Sequence, residues 1–128
     1  MRDIKKIYHN NIGIAFQWEK DVQKGNTDCI QMVFRNTGFY LTYLEIKEFY
    51  SKVKVAYKLN KCEGCTNQKK CASFLLQTPS EKIDLSVNEE ELKLISDLIK
   101  GTLFQLDLDK YLKESGLNKF KVLSALKY

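Results

Sequence analysis

Two capping-box spacings, Thr42-x-x-Glu45 and Ser86-x-x-Glu89, stand at matching places in this 128-residue chain and constrain its fold more than any other feature. In such a box the hydroxyl accepts an N–H of the exposed first turn and the carboxylate accepts the N–H of the capping residue, so each marks a helix start. Two short strand-like runs precede each box. In the first unit Cys29–Phe34 and Phe39–Leu41 flank the turn residues Arg35-Asn36-Thr37-Gly38,. In the second, Ala72–Gln77 and Ile83–Leu85 flank Thr78-Pro79-Ser80-Glu81-Lys82, which holds the single proline,.

The helices that follow carry apolar stripes. Ile46, Phe49, Tyr50, Val53 and Tyr57 fall within about 100° of arc, and Leu92, Ile95, Leu98 and Ile99 do the same work before Gly101, read as the helix end,. Each unit is therefore strand, turn, strand, helix, one spanning about 29–58 and the other about 71–101. Joined edge to edge, the units predict an α+β fold: one antiparallel sheet of about five or six strands, with helices near 44–58 and 88–100 on one face. Phe34, Leu41, Phe49, Val53, Leu76, Leu85, Leu92, Ile95 and Leu98 are the expected core.

The remaining segments attach to this plan. Ile12, Ile14, Phe16 and Trp18 alternate with small or polar residues, the period of a strand with one buried face,. Asn10-Asn11 is a turn before it, so 4–18 reads as an N-terminal hairpin, although Ile4–Tyr8 alternates poorly. A C-terminal extension, 102–128, begins with Leu103, Phe104, Leu106 and Leu108 as a short extended segment. A short helix over Asp109–Ser115 is stopped by Gly116, and Phe120, Leu123 and Leu126 suggest a basic closing helix.

Composition narrows the class. Hydrophobic residues make up 44% and charged residues 29%, enough apolar side chain for one core and too much for a disordered chain,. One proline and six glycines leave no linker, so 1–128 reads as a single domain,. No apolar run approaches the ~20 residues of a membrane span, and Met1–Lys6 leads into no apolar signal core, which places the protein in the cytoplasm and away from the membrane.

Cys62-Glu63-Gly64-Cys65, with Cys71 six residues on, is the most specific chemical signal. A CxxC sets two thiolates on one tight turn, and a third sulfur can close one side of a tetrahedral zinc site. Cys29 is the first choice of fourth ligand because it opens the first unit as Cys71 opens the second; His9, the single imidazole, is the alternative. Structural zinc leads, with free thiols, a disulfide and an iron–sulfur cluster as competing readings. His9, Asp28 and Cys29 supply the residue types of a nucleophilic site, but their spacing does not bring them together. No phosphate loop or nucleophile elbow is present, so the sequence names no catalytic residue and favours a non-enzymatic protein.

Charge is local. Seven lysines and two glutamates lie between Lys47 and Lys70, while six acids face two lysines between Glu81 and Asp97. Lys47, Lys54, Lys58 and Lys61 fall within about 60° of arc on the first helix, a line that can follow phosphates. A solvated helix face is the plainer reading of the same lysines. Tyr50 and Tyr57 are expected on the core side, leaving Tyr40 and Tyr43 as stacking candidates.

The runs Ser73–Lys82, Gly101–Leu106, Asn11–Trp18 and Phe34–Phe39 resemble an uncharacterised flavobacterial (Bacteroidetes) family of small proteins. The resemblance implies a small cytosolic bacterial protein and assigns no functional residue. The leading expectation is a module that binds another protein or a second copy of itself, stapled by zinc. Nucleic-acid binding through the lysine line and the cysteine loop is the alternative, and a thiol- or metal-dependent redox protein the third.

Overall fold

A computed structural model describes residues 3–59 and 74–115 of the chain. Its elements run β1 (Ile4–His9), β2 (Gly13–Trp18), α1 (Glu19–Gln23), β3 (Cys29–Phe34), β4 (Thr37–Thr42), α2 (Tyr43–Leu59), β5 (Phe74–Gln77), β6 (Asp84–Val87) and α3 (Glu89–Ser115). The α+β class and the hairpin–helix order β3-β4-α2 and β5-β6-α3 are as the sequence indicates. The single joined sheet is not. β1-β2-β3-β4 form one antiparallel meander, and β5 and β6 pair only with each other. A two-stranded hairpin is marginal alone. This one buries Phe74, Leu76 and Val87 and packs β5 against α2, so apolar burial positions it in place of a shared ladder.

Register decides which side of the meander is the core. Phe34 lies opposite Gly13 and Met32 opposite Ala15, which carries Gln17 beside Ile30. Ile30, Met32, Phe34 and Ala15 are buried under the helices. The sequence assigned the buried face of β2 to Ile14, Phe16 and Trp18; the structure puts the helix-covered core on the other face, although Phe16 is itself buried. Those three lie on the opposite face of the sheet, where Trp18 Nε1 donates to Gln31 Oε1 at 3.3 Å and the Phe16 and Trp18 rings meet edge to face. The mistake has a physical source: Gly13, Ala15 and Gln17 are small or polar, yet the close approach of β2 to β3 requires a glycine, since a Cβ at position 13 would overlap the Val33 carbonyl.

β1 pairs with β2 around a bulge between Lys6 and Tyr8. The extra residue turns both Lys5 and Tyr8 toward the helices, which is why the strand's alternation looks poor. Both long helices cover that face. Phe49 of α2 meets the Phe34 and Phe39 rings at centroid distances of 6.2 and 5.5 Å. α3 crosses β1, where the Tyr8 hydroxyl and the Asn10 amide both donate to Asp97, at 2.9 Å each, and the Asn10 amide also reaches the Leu94 carbonyl at 2.8 Å.

Helix boundaries follow their caps. Thr42 and Glu45 form the expected box, the backbone N–H of Thr42 donating to Glu45 Oε1 at 2.9 Å and that of Glu45 to Thr42 Oγ1 at 3.2 Å. The second box lies two residues beyond the expected one. Ser86 remains in β6, and Asn88 with Glu91 makes the reciprocal pair at 3.0 and 2.7 Å,. Gly101 does not end α3. The helix runs on for 27 residues, absorbing both the extended segment expected at 103–108 and the separate helix expected at 109–115. Gly101 is there because the Tyr8 ring lies against it: a Cβ would fall under 3.0 Å from three ring atoms. Of the expected core, Leu85 is half-buried and the other eight residues are buried.

Candidate nucleic-acid interface

α2 is amphipathic in three bands. Ile46, Phe49, Val53 and Ala56 are buried against the sheet and the second hairpin. Beside them Tyr43, Tyr50 and Tyr57, seven residues apart, are half-buried along the border with α3. Next come Lys47, Lys54 and Lys58, all exposed, within about 40° of arc on the solvent side of the tyrosines,. Tyrosine and lysine thus alternate along the axis. Lys47 to Lys58 spans about 17 Å at 1.5 Å per residue.

The two bands touch. Lys54 Nζ lies 4.5 Å from the Tyr50 ring centroid and Lys47 Nζ 5.6 Å from that of Tyr43, both within cation–π range,. Of the acids of α2, Glu45 projects about 140° or more and Glu48 about 80–120° around the helix from the lysines, and Glu48 pairs with Lys52 at 4.0 Å,. α3 supplies the negative groups nearest the tyrosines. The Tyr43 hydroxyl donates to Asp107 Oδ1 at 2.6 Å, and that bond, with burial and the carboxylate charge adding, raises the phenol above its ordinary range. Burial first and the Glu89 charge second raise Tyr57 as well. Both phenols remain neutral, and Tyr43 anchors the band to α3.

The sequence-derived line of lysines is therefore present for Lys47, Lys54 and Lys58, while Lys61 lies outside the described residues. Tyr50 and Tyr57, expected on the core side, pack half-buried against the core and also border the lysines. Tyr40 is 49% exposed on the open sheet face and donates its hydroxyl to Asp21 of α1 at 2.8 Å, well separated in the fold from α2's lysines. α1 itself was not anticipated.

The zinc expectation is corrected. Among the described residues no three or more His, Cys, Asp or Glu side chains come together in a group able to hold a metal. Cys29 is a free, half-buried thiol opposite Thr42. His9 pairs with Ile14, which pairs with Val33, four residues along β3 from Cys29, so the two are separated by roughly 13 Å along the strands alone,. They meet neither as ligands nor, with Asp28, as a nucleophilic constellation. Cys62, Cys65 and Cys71 lie outside the described residues. The zinc-stapled interaction module is accordingly set aside, and with it the cysteine loop as part of the interface.

No helix among the described residues is long and apolar enough to cross a membrane. No protein-family model matches the chain, and neither a curated protein nor a solved structure matches it.

Proposed function

We propose that the protein is a non-enzymatic binder of single-stranded nucleic acid and that α2 carries the contact. The supporting observation is the exposed line of Lys47, Lys54 and Lys58 running beside half-buried tyrosine rings, with both acids of the helix turned away. Lysines in such a line replace the counterions of a phosphate backbone. Rings beside them offer flat apolar surface to bases of any identity, and the lysine stems that cover Tyr43 and Tyr50 can swing to phosphate when a base approaches. Tyr43 is tied to Asp107 of α3, and Tyr50 and Tyr57 pack against the core, so the rings are positioned before binding. Base-edge donors and acceptors are not organised here, so binding tolerates sequence.

The test is fluorescence anisotropy of labelled single-stranded oligonucleotides titrated with the full chain across a salt series. Three phosphate contacts on a single strand predict a slope of log affinity on log salt of about −2. Lys47→Glu/Lys54→Glu/Lys58→Glu should abolish binding while leaving the circular dichroism spectrum and melting temperature intact, because all three side chains are exposed. Equal binding by the triple variant, or no binding by the parent chain at low salt, would refute the proposal.

A further inference from the structure

A cleft of about 520 Å³ opens at the end of the meander remote from the β1–β2 turn, within the size range of small-molecule sites,. Its floor is the helix-facing side of three adjacent strands: Lys5 of β1, Gln17 of β2 and Ile30 of β3. The later turns of α3 form its roof, with Leu106, Lys110 and Lys113, and Tyr43 closes one side.

Gln17 is the anomaly in this cleft. Its neighbours on the inner face are the apolar, buried Ala15, Ile30 and Met32 and, directly across the ladder to β1, the exposed Lys5, and Gln17 is itself only 7% exposed. Nε2 donates to the Thr27 carbonyl at 3.2 Å. Oε1 has no hydrogen-bond partner among the described residues. A buried acceptor left unpaired costs stability, so an apolar side chain would serve the fold better here. Gln17 lines the cleft, so its carboxamide oxygen is available as an acceptor to what enters.

The charges around it are of both signs. Lys5, Lys110 and Lys113 line the cleft together with Asp28, Asp107 and Asp109, and Asp107 is already engaged by the Tyr43 hydroxyl. A simple anion would gain from the lysines but offer nothing to Gln17. A simple cation would satisfy Gln17 and the aspartates but not the lysines. We infer that the cleft binds a small zwitterion of the free amino-acid class, its ammonium donating to Gln17 Oε1, its carboxylate paired with lysines of α3, and its side chain against Ile30, Leu106 and the Tyr43 ring. This site shares Tyr43 with the tyrosine band but includes none of Lys47, Lys54 and Lys58, and it stands whether or not nucleic acid binds.

The experiment is an NMR titration of the full, isotopically labelled chain with the proteinogenic amino acids one at a time. Amide shifts should concentrate at residues 5, 17, 28–30, 43 and 106–113 for at least one of them at millimolar concentration or below. For the best binder, N-acetylation and conversion of the carboxylate to an amide should each weaken affinity at least tenfold. Gln17→Met, which keeps length and volume but removes the acceptor together with the donor to the Thr27 carbonyl, should weaken it at least tenfold. Lys110→Glu/Lys113→Glu, both on one helix surface, provides a second variant should the first fail to fold, and it should lose at least tenfold through the carboxylate. No shift from any amino acid, equal binding of the acetylated or amidated form, or affinity unchanged in the variant that folds would overturn the inference.

Discussion

Replacing Gly101 with alanine sets two well-understood effects against each other. In an open helix interior the change stabilises by about 1 kcal/mol, because alanine loses less backbone freedom on folding. At position 101 the new methyl group would fall under 3.0 Å from three atoms of the Tyr8 ring. That contact cannot be accommodated by a flexible side-chain tip, since the ring is rigid, packs against the core and is tied through its hydroxyl to Asp97. Displacing it costs about 1–3 kcal/mol for overpacking and about 1 kcal/mol for the hydrogen bond. The net expectation for Gly101→Ala is a loss of roughly 1–3 kcal/mol, a fall in melting temperature of several degrees for a chain of this size. The same substitution in a Tyr8→Val background should instead stabilise by about 1 kcal/mol, because the obstructing ring is gone. Urea denaturation of the four proteins of this cycle would give a coupling of roughly 2–4 kcal/mol. A Gly101→Ala chain more stable than its parent, or an effect of the same sign in both backgrounds, would refute the packing of Tyr8 on α3.

Phe49, fully buried between the Phe34 and Phe39 rings, should lose about 3–5 kcal/mol on truncation to alanine, readable as a drop in the urea midpoint at unchanged slope,. Asn88→Ala removes the cap of α3 and should cost about 1 kcal/mol in the same assay, and a neutral result would return the cap to another residue,. Hydrogen bonds to Asp97 and Asp107, reinforced by burial and by the carboxylate charges, raise the Tyr8 and Tyr43 phenols above the usual value near 10,. Stability from these groups is fully present below that value and is lost as pH rises through the folded values, so it should be level from pH 7 to 9 and decline above about 10. Tyr43→Phe should flatten part of the decline, and stability that increases above pH 10 would contradict both contacts.

Local chemistry was legible where one residue type determines the outcome. Thr42 and Glu45 announced α2 because their side chains bond only to the first turn they cap, and the stripe from Ile46 to Val53 identified its buried face. The hairpin turn was readable at Arg35–Gly38 but is tighter than expected: Arg35 and Asn36, with positive φ angles of 51° and 62°, make it alone, and Thr37 and Gly38 already belong to β4,. What failed was anything set by a distant partner. Gly101 looked like a stop signal because glycine costs stability inside a helix, and its reason, the Tyr8 ring, is 93 positions away. The inner face of β2 was misassigned because Phe16 and Trp18 outweigh Ala15 in hydrophobicity, whereas the register with β3 and the weight of the covering helices decide burial. For the lysine line, helical geometry sufficed to foresee Lys47, Lys54 and Lys58. The core-side position of Tyr50 and Tyr57 was foreseen from the same geometry, but not that they stay only half-buried. The cleft around Gln17 left no sequence signal beyond one polar residue at an inward position of a strand.

The docking of α3 on β1 also has a kinetic meaning. Contacts within the meander join residues close in the chain, and loop closure for each is inexpensive in entropy. Tyr8 with Asp97 and Asn10 with Leu94 bridge 89 and 84 positions. These contacts reward the chain only after nearly everything between them has been ordered, so they belong to the late stage of folding. Read in reverse, they form a place at which the native state can open: lifting α3 frees β1, the outer edge of the sheet, and uncovers part of the core over β2, while the β3–β4 ladder stays paired. Amide protons of β1 and of the middle of α3 should therefore exchange with solvent as one unit, faster than those of β3.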